Sequence, residues 1–291
     1  VMIYPANTLI LLVLSFACVS TRPPGPEFKP IIPLPAELDE CSGMISLGNG
    51  LYAGLNDSGN DAELFIFKLS DQPDTRTVKI TGASNHDWEE LTADASYVYI
   101  SDTGNNSGNR KDLKIYRISK AELIQNDEVR AEQISFYYPE QKKFEPSNKH
   151  NFDCEAMISA GDSLYLFTKN RGNSKTDLYS IPKTPGHYQA RYHDRFDAMG
   201  LITGADFSQT PVKNSLVLIG YTVEGKGYHP FILYFQDVKG TAFFKGPFER
   251  MMFDGKLQTE TISFHDGRSV YITNEEEHGD KGFIYQVDIQ K

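Results

Sequence analysis

DCEAMISAGDSLYLFTKN (153–170) contains two short apolar alternations around a Gly-Asp turn, the pattern of an antiparallel strand pair. After the turn-rich RGNSKT (171–176), a third alternation follows in DLYSIPK (177–183). The same unit recurs along the chain. First strands are predicted at ECSGMIS (40–46), DWEELTA (87–93), DCEAMIS (153–159), LITGADFS (201–208) and QTETISF (258–264). Second strands follow at LYAGLND (51–57), VYISDTG (98–104), LYLFTKN (164–170), LVLIGYT (216–222) and VYITNEE (270–276). Third strands complete the unit at ELFIFKL (63–69), DLKIYRI (112–118), DLYSIPK (177–183), FILYFQD (231–237) and FIYQVDI (283–289). Three regular strands followed by a more variable outer one make the blade of a β-propeller. The fold class is therefore all-β, with a short helical signal only in SKAELIQNDEVRAEQ (119–133).

The number of blades follows from the spacing. Equivalent positions 42, 89, 155, 203 and 260 are 47, 66, 48 and 57 residues apart. Blades run about 40–50 residues, so two repeats carry outer-loop insertions. Five four-stranded blades account for the chain, with a sixth as the alternative if the 66-residue interval hides a degenerate unit. The last repeat ends after its third strand, and EFKPIIPLP (27–35) is placed to supply the fourth. Closing the ring from both termini protects edges that would otherwise stay open.

Ahead of the repeats, the apolar run Leu9–Val19 has the length of a signal-peptide core and is too short to span a bilayer. SFAC, ending at Cys18, resembles a loose lipobox, so Cys18 is a candidate lipidation site. This divides the chain into a leader (1–18), a Pro-rich linker (19–26) and the propeller (27–291). The protein is expected to be exported, either secreted or anchored to the outer membrane by lipid alone, and monomeric. Cys41 and Cys154 form neither a zinc pattern nor a disulfide framework, leaving small apolar packing or a single bridge. A net charge of −10 with no Lys/Arg-rich run argues against nucleic acid.

The candidate site lies where the repeats converge. First strands line a propeller's channel, and the aligned position holds Ser42, Glu89, Glu155, Thr203 and Glu260. Strict strand alternation turns Glu90 to the opposite face. Second-strand ends are also rich in oxygen: Asn56 and Asp57, Asp102 and Asn105, Asn170, Asn274 and Glu275. Converging carboxylates repel unless a cation joins them. An all-oxygen donor set suits Ca²⁺, with Glu89, Glu155, Glu260, Asp102, Asn170 and Asn274 as metal ligands. The alternative is that these groups bond to neighbouring backbone and hold the blades together. Asp57, Lys169, Arg171 and Glu275 are placed to meet a small-molecule or envelope ligand in the channel. His86 is either a general base or a surface-loop histidine.

The run NDSGN, DWEELTAD, SDTGNN, NFDCEAM, LYLFTKNR and ITGADFS resembles a group of exported bacterial propellers. More distantly, the glutamate-bearing first strands are similar to the superfamily of phytase-like esterases, gluconolactonases and paraoxonases. That resemblance implies a central calcium, with Glu89, Glu155 and Glu260 at the superfamily's glutamate position. Asp102, Asn170 and Asn274 match its second-strand ligands. Its enzymes generally have six blades, against the five counted here. Two functions follow as expectations. One is a Ca²⁺-dependent hydrolase of esters, lactones or phosphoesters. The other is a non-catalytic envelope propeller binding a ligand or protein through aromatic strands such as GYHPFILYF (227–235), since no G-x-S-x-G motif is present.

Overall fold

The repeats pair into five sheets arranged as the blades of a ring, each with four antiparallel strands, and blades 1 and 2 each carry a fifth, parallel strand on the outside, Gly186–Gln189 on blade 2. The computed structural model describes residues 28–210, 213–225, 227–254, 256–274 and 282–290. Blade 1 is built from Cys41–Gly48, Leu51–Asn56, Glu63–Lys68 and Arg76–Thr81, innermost strand first. Blade 2 runs Trp88–Ala93, Tyr97–Asp102, Lys114–Ser119 and Glu132–Tyr137. Blade 3 runs Cys154–Ala160, Ser163–Thr168, Thr176–Pro182 and Arg191–Phe196, and blade 4 Leu201–Gln209, Asn214–Glu224, Gly227–Phe235 and Phe248–Met252. Blade 5 takes Thr259–Phe264, Ser269–Asn274 and Phe283–Asp288 from the C-terminal end.

Its outer strand is Lys29–Pro33, which pairs antiparallel with Phe283–Gln286 as the sequence predicts. Pro30 and Pro33 lack N–H donors and are tolerated because this strand is an edge. Phe28 stacks on Phe253 with ring centroids 4.3 Å apart, tying the closing strand to blade 4.

The 66-residue interval contains no sixth blade. It carries the helix Lys120–Gln125, whose N-cap Ser119 accepts a hydrogen bond from Glu122 N, half of a capping box. Glu128–Arg130 then adds a parallel strand to the outside of blade 1. No helix among the described residues is long and apolar enough to cross a membrane. The leader, Cys18 and the linker lie outside the described residues.

Apolar side chains gather into five clusters, one at each interface between neighbouring blades. Trp88 anchors the cluster between blades 1 and 2, and Phe167 and Phe231 both belong to the cluster between blades 3 and 4. Phe231, Tyr234 and Phe235 of GYHPFILYF are core, in the third strand of blade 4. Cys41 and Cys154 are buried in different inter-blade clusters and are not bridged to each other. They occupy equivalent positions, each Sγ facing the carbonyl two residues on.

Every innermost strand carries a register break at the same place. The break falls between Cys41 and Gly43, Trp88 and Glu90, Cys154 and Ala156, Ile202 and Gly204, and Thr259 and Thr261. The extra residue is thus Ser42, Glu89, Glu155, Thr203 or Glu260, the position aligned from sequence. A bulge bends the strand and re-aims its side chain, and five in phase present these residues at one mouth of the channel.

The bulge also resets the alternation. Glu90, expected to turn away, is buried on the channel axis, where its carboxylate accepts from Leu91 N at 2.9 Å and from Ala205 N of blade 4 at 3.2 Å. Further along the axis, Asp206 accepts from Phe207 N and from Phe264 N of blade 5. These carboxylates satisfy inner-edge N–H groups that have no ladder partner. Burial raises the pKa of both.

Candidate functional site

The five bulged residues separate by chemistry. Ser42 Oγ donates to Trp88 O of the next blade at 2.9 Å, and Thr203 Oγ1 to Thr259 O at 2.7 Å. These hydroxyls join blades. The three glutamates are 95–97% buried and gather charge instead, Glu89 and Glu260 each being 5% and Glu155 3% exposed.

Glu89 belongs to two overlapping carboxylate groups. Asp57, Asp87 and Glu89 place ligand oxygens within 4.8 Å of one another, and Glu89, Asp153 and Glu155 do the same. The second group has counter-charges. Glu155 pairs with the buried Lys169 and lies 3.4 Å from Arg171. Asp153 accepts from Arg171 Nε at 3.0 Å and from Asn105 N at 2.7 Å. The first group has almost none. Asp57 accepts from Ser58 N, while the carboxylates of Asp87 and Glu89 make no hydrogen bond or ion pair with the described residues.

The pKa shifts follow this imbalance. Burial, then the charges of Glu155, Asp57 and Asp87, push Glu89 well above the ordinary carboxylate range. Burial and Asp57 push Asp87 up to about 6, with Arg110 opposing. Burial also raises Asp57, against the Ser58 N–H and Lys169. For Lys169, burial disfavours the ammonium, but Glu155, Tyr221 and Glu260 outweigh it and hold the pKa well above that of ordinary lysine.

Gly104 forms the floor beside the uncompensated group. A Cβ there would stand 2.0 Å from Glu89 Oε1 and 2.5 Å from Asp87 Oδ2. Two carboxylates can crowd this backbone only because no side chain occupies it.

On the second strands the mouth-facing position lies one residue after Asp102 and Asn274 in blades 2 and 5, and one residue before Asn170 in blade 3. Cys41, Trp88 and Thr259 pair with Asn56, Asp102 and Asn274, and Asn56 donates to Glu37 O at 2.7 Å in the segment ahead of blade 1. Asp102 is fully buried against Arg110 at 2.8 Å, with Lys114 at 3.9 Å. Asn274 Oδ1 accepts from Phe283 N. Asn170 bonds to Thr168 and Asp177 inside blade 3. The metal set read from sequence is thus dispersed: Glu89 and Glu155 meet, while Asp102, Asn170 and Asn274 are engaged elsewhere.

The following position holds Asp57, Thr103, Lys169 and Tyr221, and the first, third and fourth of these reach the mouth. Glu275 continues the series in sequence and lies outside the described residues. Sequence reading missed Asp87, Asp153 and Tyr221. The first two were visible as a repeated D-x-E, in DWE (87–89) and DCE (153–155).

Glu260 faces the same funnel from blade 5 but belongs to neither carboxylate group. Its Oε1 is buried without a hydrogen-bond partner among the described residues. Burial lifts its pKa to about 7, while Lys169 and a hydrogen bond from Gln258 oppose the rise. His86 is a surface residue, 3.1 Å from Asp112.

Fold and mouth together define a β-propeller with an acidic central funnel. No protein-family model matches the chain, and no curated protein matches it in sequence. Solved structures do match in shape. An endo-arabinase from Bacteroides thetaiotaomicron is 12% identical with a TM-score of 0.52, covering 90% of this chain and 99% of that one. The GH62 α-L-arabinofuranosidase catalytic domain of Coprinopsis cinerea is 10% identical with a TM-score of 0.52, covering 90% and 97%. A GH43 endo-arabinanase from Bacillus licheniformis is 10% identical with a TM-score of 0.51, covering 90% and 96%. At such identities the likeness is one of fold. These neighbours are propeller glycosidases, not members of the esterase, gluconolactonase and paraoxonase superfamily that the sequence resembles.

Proposed function

We propose that the mouth is a divalent-cation centre and that the protein is a hydrolase of esters, lactones or phosphoesters acting there. The observation that carries this reading is Glu89, a buried carboxylate among four others and without a hydrogen-bond or ion-pair partner among the described residues. Uncompensated burial of that kind costs several kcal/mol. Asp57, Asp87 and Glu89 would hold the ion, with Asp153 adjoining. Their all-oxygen chemistry fits calcium, and the absence of cysteine or histidine from the group disfavours zinc.

When bound, such an ion polarises the scissile oxygen and lowers the pKa of a water. Glu260 is the group to move the proton. It takes one from the attacking water and returns it to the departing alkoxide, so that ester and water become acid and alcohol. A carboxylate with a pKa near the working pH suits both tasks.

Turnover on lactone, aryl-ester and phosphodiester substrates, with and without chelator, tests the reading. Chelator-sensitive hydrolysis is expected to rise from acid pH through about 7 as Glu260 ionises, since the base is active deprotonated. Glu260→Gln should lower turnover by about 10²–10⁴-fold while retaining calcium binding. Turnover indifferent to both chelator and Glu260→Gln would defeat the proposal.

A further inference from the structure

Beside the mouth, between blades 3 and 4, lies a cavity of about 360 Å³ lined by Arg171, Leu201, Tyr221, Thr222 and Val223, with Met199 at its rim. Met199 and Val223 are 60% and 57% exposed, among the most exposed large apolar residues described. Met199 also sits at φ 48°, a left-handed conformation that a bulky side chain rarely adopts. Such strain persists only where surrounding contacts over-determine it, and it gathers at ligand clamps.

Those contacts are present. Arg250 donates to the carbonyls of Ala198 and Met199, Met199 N donates to Asp197 at 3.3 Å, and Gly200 N donates to Ser174 O at 3.1 Å. The loop is fixed with its apolar side chain facing solvent.

The opposite wall is polar. Arg171 donates from Nε to Asp153 and from Nη2 to Glu155 and Asn106, while its Nη1 makes no hydrogen bond with the described residues. Thr222 Oγ1 is shielded from solvent and has no hydrogen-bond partner among the described residues. The Asp153 and Glu155 contacts of Arg171 place this wall against the carboxylate groups of the mouth.

Charge selects among ligands. Asp57, Asp87, Glu89, Asp153 and Glu155 outnumber Lys169 and Arg171, and a bound divalent cation would still leave the mouth without excess positive charge. An anionic substrate gains nothing there, whereas a neutral carbonyl can accept from Arg171.

We propose that this cavity receives the acyl part of an uncharged ester or lactone, its carbonyl oxygen on Arg171 Nη1 and its alkyl chain against Met199, Leu201 and Val223. The assignment rests on the hydrolase reading of the mouth and narrows it, setting phosphoesters aside.

Calorimetric titration of the protein in chelator, where no metal-dependent turnover intervenes, tests the cavity with γ-octalactone, γ-butyrolactone and octanoate. Burial of the butyl tail should make γ-octalactone bind at least about tenfold tighter than γ-butyrolactone, and tighter than octanoate. Val223→Asp, at an exposed position, should lose that advantage and keep the calcium-dependent melting shift. No saturable binding of γ-octalactone, equal binding of the two lactones, octanoate as tight as γ-octalactone, or undiminished binding by Val223→Asp would each overturn the assignment. A γ-octalactone preference without any calcium shift would instead leave the cavity standing and remove the cation centre.

Discussion

Lys169→Met is expected to destabilise the protein by about 3–5 kcal/mol, the range for breaking a buried ion pair by removing one partner. Lys169 and Glu155 have side-chain exposures of 5% and 4%, and their charged atoms are in direct contact. Methionine fills much of the space but leaves Glu155 buried against Asp153 and Glu89. Arg171, 3.4 Å away, offers partial relief. Glu155→Gln in the same chain removes the stranded charge and should recover more than half of the loss.

The pH dependence has a definite sign. Burial already raises the folded pKa of Glu155 with Lys169 opposing, and removing Lys169 raises it further. A carboxylate with a raised folded pKa favours the folded state when protonated and loses that contribution as pH rises. The defect in Lys169→Met should therefore be larger at pH 7 than near pH 4. Denaturant unfolding at the two pH values measures it. A loss below about 1 kcal/mol at neutral pH, typical of solvated pairs, would show that water reaches this contact.

Gly104→Ala should have the second largest effect. The new methyl would meet Glu89 Oε1 at 2.0 Å and Asp87 Oδ2 at 2.5 Å, so both carboxylates or the Asp102–Gly104 segment must move. Overpacking of this kind costs about 1–3 kcal/mol. The sharper consequence is functional, because the displaced oxygens are two of the three proposed cation ligands. Gly104→Ala should remain folded in chelator and lose its stabilisation by calcium. Stability measured in both conditions separates strain, present in each, from the lost ion response. An alanine variant with the full calcium response would place the ion elsewhere.

The blade repeat was legible because apolar alternation and turn residues recur with little disguise, as in LYAGLND and LYLFTKN. Closure by EFKPIIPLP was legible from the missing fourth strand. The aligned glutamates were found because a bulge at the same point in every blade leaves their spacing from the apolar positions unchanged. The same bulge hid Glu90. An inserted residue resets alternation, and periodicity alone does not announce it.

A one-position error in the second strands had a related origin. Asp102 and Asn274 are as oxygen-rich as Asp57, and only pairing opposite Trp88 and Thr259 shows that they face into their blades. Asp87 and Asp153 precede their strands, in segments where alternation gives no direction. Tyr221 carries no signal in LVLIGYT that sets it apart from a core aromatic, yet its ring lies 5.3 Å from the Lys169 ammonium.

If Asp57, Asp87 and Glu89 share a divalent cation, thermal unfolding must differ between excess calcium and chelator. At calcium about 100-fold above its dissociation constant the ion would stabilise the fold by about 2.7 kcal/mol. For a domain of this size that is about 5–10 °C in melting temperature. Wild type should show this shift, and Glu89→Gln, which keeps the shape but removes the charge, should show much less. Equal melting temperatures for wild type in calcium and in chelator would show that these carboxylates hold no such ion.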